Sequence, residues 1–159
     1  MIIVFVFFSA CLLALVLTPI IRQVFLRVRL VDIPNQRSLH AIPVPKGGGL
    51  ALYLAFVLQI VWVIGKGEGL WLVAGATVAL VVGLLDDTRG FSPFKKIIGQ
   101  LLAAAVLIGS GLKIGLLPDM VSIPLTFFGL VGVMNAINLI DGMDGLAAGI
   151  SLVAAFFFM

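Results

Sequence analysis

Uncharged apolar runs alternate with short polar segments along almost the whole chain. The first run, Ile2–Ile21, holds twenty residues without a charged side chain. At about 1.5 Å per helical residue it is long enough to span the roughly 30 Å hydrocarbon core of a bilayer. Five further runs follow, several near the short end of the usual spanning length: Leu50–Gly65, Leu70–Leu85, Ile97–Leu112, Met120–Ile140 and Leu146–Met159. The pattern predicts an all-α, polytopic transmembrane helix bundle with about six spanning segments.

The composition agrees with a bilayer as the solvent. Hydrophobic residues make up 62% of the chain and charged residues only 11%, with a mean hydropathy of +1.29. A soluble domain averages about 25% charged residues, and one of this size could not bury so much apolar surface in a single core. Helices satisfy their own backbone groups in lipid. We therefore expect one transmembrane domain over residues 1–159, with polar motif loops at 22–49, 86–96 and 141–145.

The distribution of basic residues predicts the orientation. Two lysines, Lys66 and Lys113, fall in connections on one side of the membrane. The other eight basic residues share the opposite side: Arg22, Arg27, Arg29, Arg37, Lys46, Arg89, Lys95 and Lys96. Because Lys and Arg concentrate in cytoplasmic loops, the three motif loops should be cytoplasmic and the N-terminus outside.

The last apolar run has no polar flank. It contains about fourteen residues, whereas a spanning helix needs about twenty and usually an interfacial anchor. We therefore expect the chain to be the N-terminal half of a longer protein.

Four of the seven acidic residues lie at the inner ends of the third and fifth runs: Asp86, Asp87, Asp141 and Asp144. Carboxylates at membrane depth are costly and are functional candidates by default, and oxygen-rich sites of this kind suit Mg²⁺ with substrate phosphates. The alternative for Asp86 and Asp87 is a helix end that reaches water, although acids there oppose the helix dipole. The alternative for Asp144 is a turn position beside two glycines.

A polar residue recurs at every third position near the end of the fifth run. Asn135, Asn138 and Asp141 would share one arc of a continuous helix. Amide and carboxylate oxygens at one depth suit a metal–phosphate site. The alternative is interhelical hydrogen bonding, which Asn often provides in membranes.

Two further features of the sequence, a lysine pair and a loop, do not by themselves indicate a function. Lys95 and Lys96 could bind phosphate as point charges or could be ordinary positive-inside anchors. The segment 32–49 carries the single histidine, His40, among three prolines and ends in Gly47–Gly49, but it matches no nucleotide-binding fingerprint.

Taken together, three segments resemble the polyprenyl-phosphate N-acetylhexosamine-1-phosphate transferase family, a group within glycosyltransferase family 4. Asp32–Gly49 is similar to the family's D-x-P-N-x-R…H…P-x-P-x-x-G-G loop. Asp86-Asp87 with Lys96 and Gln100 is similar to its DD…K…Q element, and Asn135–Ala147 to its N-x-x-N-x-x-D-G-x-D-G-L-A element. The three motifs occur in order and on one predicted side.

The resemblance implies a reaction in which a lipid phosphate attacks the β-phosphate of a UDP-amino sugar and UMP leaves. It implies a bacterial inner-membrane enzyme that faces the cytoplasm and starts a cell-envelope polysaccharide. The implied partners are a UDP-amino sugar, undecaprenyl phosphate and membrane lipid, with a homodimer as one assembly and no nucleic acid. The form of the first loop is more similar to members that transfer GlcNAc or related sugars than to those that use UDP-MurNAc-pentapeptide.

The resemblance also implies residue roles. Asp86 would be the base for, or the orienter of, the lipid phosphate, and Asp87 would support it through Lys96. The implied catalytic residues are Asp86, Asp87 and Asp141. The implied ligands of Mg²⁺, with Mn²⁺ as a substitute, are Asp87, Asn138 and Asp141. The implied substrate-binding residues are Arg37, His40, Lys46, Lys96, Asn138 and Asp144.

The chain departs from the family in length, since members are about twice as long and carry a further aspartate and a His-rich loop in later helices. One alternative is therefore an inactive, truncated remnant or a non-enzymatic membrane subunit. An aspartate-rich prenyltransferase would space its acids every three or four residues on two helices, which Asp86-Asp87 does not. A transporter should spread its acids through the depth of the bilayer.

Overall fold

A computed structural model describes residues 2–32, 43–63, 67, 69–141 and 145–158. Within them lie six helices: α1 (Ile2–Arg27), α2 (Gly48–Val63), α3 (Gly69–Arg89), α4 (Pro93–Gly109), α5 (Asp119–Ile140) and α6 (Leu146–Phe158). Helices α1, α3 and α5 are long and apolar enough to cross a membrane, while α2 and α6 are shorter apolar helices. The predicted all-α membrane bundle is confirmed, and the chain is a membrane protein.

Helix α1 extends beyond the uncharged run that predicted it. It continues through Arg22 to Arg27 because arginine is a good helix former and its charged end can reach water at the interface. Pro19 lies inside the helix. Because Pro19 has no N–H, the Leu15 carbonyl loses its helical donor. The neighbouring Thr18 hydroxyl donates to a different carbonyl, that of Ala14, at 2.6 Å.

A small antiparallel hairpin, which the apolar pattern did not predict, connects α1 to α2. Strand β1 (Val31–Asp32) pairs with strand β2 (Val44–Pro45), with Val31 opposite Pro45 and Asp32 opposite Val44. The Lys46 N–H also donates to the Leu30 carbonyl at 3.0 Å. These hydrogen bonds therefore fix the backbone position of Lys46, which lies between β2 and the start of α2.

Consecutive helices pack side by side, and small residues form their contacts. Ala51 and Ala55 of α2 and Ala103 and Ala104 of α4 are buried. Many large apolar side chains, such as Phe128 at 80% exposure, face outward. This distribution is typical of membrane helices, where small residues let backbones approach and lipid covers the apolar exterior.

Gly99 provides a test of this packing. A Cβ added there would collide with the Val82 side chain of α3. We expect Gly99→Leu to destabilise the bundle by about 1–3 kcal/mol through overpacking, measured as a lower melting temperature in detergent by circular dichroism. The control is Gly129→Leu in α5, where an added Cβ meets no atom within 4 Å. Equal melting temperatures for the two variants would contradict the close α3–α4 contact.

Candidate functional site

The turn between α3 and α4 positions the central pair of the site. Gly90, at φ 63°, takes a left-handed conformation that suits glycine, and its N–H donates to the Asp86 carbonyl at 2.8 Å. Pro93 begins α4, where a missing N–H is tolerated. The chain therefore reverses within a few residues, and Lys96 in the first turn of α4 faces Asp86 in the last turn of α3.

Both carboxylate oxygens of Asp86 are engaged. Oδ2 lies 2.7 Å from the Lys96 ammonium, and Oδ1 accepts the Phe91 backbone N–H at 2.9 Å. Each of the two side chains is about a quarter exposed or less. Charged partners strengthen hydrogen bonds, so Asp86 is held as an oriented anion that fixes the position of Lys96.

Lys96 also connects α4 to α5. Its ammonium donates to the Asn138 Oδ1 at 3.2 Å, so one nitrogen contacts oxygens from both neighbouring helices. The resemblance implied that Lys96 would act with Asp87, whereas the structure pairs it with Asp86. The difference arises because Asp86 and Asp87 are adjacent on a helix and their side chains diverge by about 100°.

A second lysine lies against the end of α3. Lys46 Nζ donates to the Asp87 backbone carbonyl at 3.2 Å and lies 3.3 Å from Asp32 Oδ1. It therefore ties the hairpin to the aspartate pair. Asp32 belongs to the first motif, but the sequence alone did not single it out for this contact.

Asn135 follows the interhelical alternative. Its Nδ2 donates to Gln100 Oε1 at 2.8 Å and Gln100 Nε2 donates back to Asn135 Oδ1 at 3.3 Å. Gln100 is 6% exposed. This reciprocal amide pair joins α4 to α5 one turn away from the Lys96–Asn138 contact and keeps the two helices in register. Gln100 belongs to the second motif and Asn135 to the third, but the sequence did not show that these two side chains pair.

This amide pair provides a second test. Replacing one amide leaves the other without its hydrogen-bond partner in an apolar environment, which costs about 1–3 kcal/mol. We expect Gln100→Leu and Asn135→Leu each to lower the free energy of unfolding in mixed micelles, and the double variant to lose less than the sum of the two. A typical interhelical coupling is about 0.6 kcal/mol. Strictly additive losses would show that the amides act independently.

Of the four predicted site residues that remain, the structure describes one, Asp141. Asp141 is exposed at the C-terminal end of α5, and its N–H donates to the Ile137 carbonyl at 3.0 Å. Arg37, His40 and Asp144 lie outside the described residues. The roles assigned to all of these side chains stay predictions.

The described side chains are partly suited to a divalent cation. In the ranges that the structure describes, no group of three or more His, Cys, Asp or Glu side chains is arranged to hold a metal ion. Asp87, Asn138 and Asp141 nevertheless carry the carboxylate and amide oxygens that Mg²⁺ accepts. Mg²⁺ usually takes only one or two protein carboxylates and completes its coordination shell with water and substrate phosphates. The oxygen atoms of these three side chains are therefore of the types that bind Mg²⁺.

Comparison with known proteins identifies the family of this chain. Residues 70–159 match the family model described as glycosyl transferase family 4. The chain is 33% identical to a probable undecaprenyl-phosphate N-acetylglucosaminyl 1-phosphate transferase of Bacillus subtilis, over 95% of this chain and 46% of the relative. It is 36% identical to a decaprenyl-phosphate N-acetylglucosaminephosphotransferase of Mycobacterium leprae, over 81% of this chain and 38% of the relative.

A more distant relative is a phospho-N-acetylmuramoyl-pentapeptide-transferase of Lactobacillus gasseri, 30% identical over 69% of this chain and 42% of the relative. No solved structure matches significantly. The chain spans less than half of the length of each of these three relatives. The family model covers more than half of the chain, and the resemblance drawn from the three motifs is confirmed: this chain belongs to glycosyl transferase family 4.

Proposed function

We propose that the protein transfers an N-acetylhexosamine 1-phosphate, with GlcNAc 1-phosphate as the first candidate, from a UDP-sugar to a polyprenyl phosphate. An oxygen of the lipid phosphate attacks the sugar-bearing β-phosphorus, and the bond from that phosphorus to the bridging oxygen breaks. UMP leaves with the bridging oxygen, and a polyprenyl diphosphate sugar forms. Two relatives that align with most of this chain are named for GlcNAc transfer, which supports this choice of donor.

The observation that carries the proposal is the ammonium of Lys96, held between the Asp86 carboxylate and the Asn138 amide. Phosphoryl transfer depends mainly on positioning and on neutralising charge spread over phosphate oxygens. A fixed cation at the junction of three helices, with Lys46 at the same end of α3, suits that task. Since both Asp86 oxygens already have partners, Asp86 is better suited to orienting Lys96 than to taking a proton in this state.

The proposal includes a magnesium ion, with Mn²⁺ as a substitute, held by oxygens of Asp87, Asn138 and Asp141. Such an ion supplies positive charge to the diphosphate. It also includes a cytoplasmic face for the site, supported by the excess of Lys and Arg near the C-terminal ends of α1 and α3. In a bacterial inner membrane this orientation gives access to nucleotide sugars, and the lipid-linked product would start an envelope polysaccharide.

The test uses the purified chain in lipid nanodiscs with polyprenyl phosphate, Mg²⁺ and UDP-GlcNAc labelled in the sugar. We expect label in the lipid phase and an equal amount of released UMP, measured by chromatography. Release of UDP would instead indicate simple glycosyl transfer and would overturn the proposal. UDP-MurNAc-pentapeptide, supplied in parallel, tests the donor. A well-folded chain that binds both substrates without turnover would favour the inactive remnant or non-enzymatic subunit.

A further inference from the structure

The segment that joins α4 to α5, residues 110–118, lies beside α5 and not beyond its end. The Lys96–Asn138 contact sets these two antiparallel helices level with each other at the candidate site. From that contact α4 continues for 13 residues to Gly109, whereas α5 extends 19 residues back to Asp119. At about 1.5 Å per residue, α4 therefore ends roughly 9 Å short of the first residue of α5. The connecting segment runs alongside the first turns of α5.

Hydrogen bonds hold the segment at this level. The Ile114 N–H donates to the Thr126 hydroxyl at 3.1 Å, and the Ser122 hydroxyl donates to the Ile114 carbonyl at 2.6 Å. Ser122 and Thr126 are buried, and they lie three and seven residues after the first residue of α5. Ile114 is therefore about 5–10 Å below that end of the helix. Irregular backbone at membrane depth is tolerated where protein groups satisfy it, and the two hydroxyls do so for Ile114.

The segment and the first turn of α5 present large apolar side chains outward. Leu116 is 93% exposed, and Met120 in the first turn is 91% exposed. Met120 continues the exposed side of α5, since Pro124 and Phe128 follow it at intervals of four residues and are also exposed. Because α5 is long and apolar enough to cross a membrane, its exposed side faces lipid. The exposed apolar side chains at this end therefore match acyl chains better than water.

The charges that flank the segment are paired with each other. Lys113 Nζ lies 2.6 Å from Asp119 Oδ1, and both side chains remain partly exposed. Charged side chains near the ends of membrane helices direct their charged groups to the interface. The pair at Asp119 thus marks the polar level at this end of α5, and the clamped backbone of Ile114 lies on the acyl side of it.

We propose that residues 110–118 form an interfacial membrane element, which inserts Leu116 and Met120 into the leaflet at the end of the bundle opposite the candidate site. Its partner is the lipid surface, at the boundary between headgroups and acyl chains. The segment is held by buried hydroxyls at a depth where water is scarce, which favours lipid over the water that surrounds an ordinary loop. A second copy of the chain is the other competing occupant.

The test is spin-label accessibility in phosphatidylcholine vesicles. The one native cysteine, Cys11, is replaced by alanine, and the label is attached to Leu116→Cys or Met120→Cys. Phe128→Cys, on the exposed side of α5, is the lipid reference, and Gly67→Cys, in the polar segment 66–69, is the water reference. The measured quantity is the ratio of label collisions with O₂, which concentrates in the bilayer, to collisions with a nickel chelate, which stays in water.

We expect this ratio at Leu116→Cys and Met120→Cys to be at least about tenfold higher than at Gly67→Cys, a partitioning difference of about 1.4 kcal/mol. If Leu116→Cys does not fold, Gly115→Cys carries the label on the same segment, because an added Cβ there meets no atom within 4 Å. A ratio equal to that of Gly67→Cys would place the segment in water and overturn the proposal. Few collisions with either reagent would show that protein covers both side chains and would overturn it as well. The measurement needs no turnover, so its outcome is independent of the proposed function.

Discussion

Turnover should fall by about a hundred- to a thousandfold when Asp86 is replaced by asparagine, the range seen when a preorganised electrostatic partner is removed from an active site. Asparagine keeps the shape of the side chain and can still accept the Phe91 N–H that binds Oδ1. It removes the negative charge that holds the Lys96 ammonium at 2.7 Å. The loss should therefore appear mainly in kcat, measured as UMP release at saturating donor and lipid.

Asp119→Asn is the matched control for this variant. Asp119 is also an aspartate paired to a lysine, with Oδ1 2.6 Å from Lys113 Nζ, but it lies at the opposite end of the bundle, at the start of α5. The Asp119→Asn variant should have the same kcat as the parent chain. If both aspartate variants keep full activity, the Asp86–Lys96 pair has no part in the reaction.

Lysine variants test the same pair from its other side. Lys96→Met should resemble Asp86→Asn, because it removes the cation that contacts Asp86 and Asn138. Lys95→Met removes an equal charge from the preceding residue, which is exposed, and should lose little. Similar, small losses in the two variants would mean that both lysines serve as interfacial anchors.

The sequence was sufficient to predict the helices because charged residues bound the apolar runs. The runs that predicted α3 and α5 agree with the structure to within a few residues, since a helix that crosses lipid can gain or lose only a turn at its polar ends. The end of α1 was less predictable, because nothing in Arg22–Arg27 opposes a helix. The two-residue strands β1 and β2 are too short to show an alternating pattern.

The sequence could predict how deep in the membrane the candidate site lies and on which face. It could not predict which side chains of the site pair with each other. The positions of Asp86, Lys96 and Asn138 along their runs indicate that they lie near one face of the membrane. Which side chains meet depends on the rotation of each helix about its axis. That rotation is fixed by the tight turn at Gly90 and by the Gln100–Asn135 amide pair. The hydropathy pattern shows neither the conformation of the turn nor which two amides, 35 residues apart, will pair.

Removal of divalent cations should reduce turnover to background, and added Mg²⁺ should restore it, with Mn²⁺ as a partial substitute. The reason is charge. The described cations at the site are Lys46 and Lys96, and each is already paired with a carboxylate, Asp32 and Asp86. A diphosphate and a lipid phosphate would bring several further negative charges, which these paired lysines would not neutralise. The measurement is UMP release across a titration of free Mg²⁺.

Variants of the proposed ligands should shift that titration. We expect Asp87→Asn and Asn138→Ala to raise the half-saturating Mg²⁺ concentration about tenfold or more, in the range known for altered metal environments, while Asp119→Asn leaves it unchanged. Asn138→Ala should in addition lower kcat, because Lys96 loses its contact on α5. Mn²⁺ binding followed by electron paramagnetic resonance gives a readout independent of turnover. Full activity in excess chelator would contradict the metal site and would leave the two lysines as the cations that stabilise the transferred phosphate.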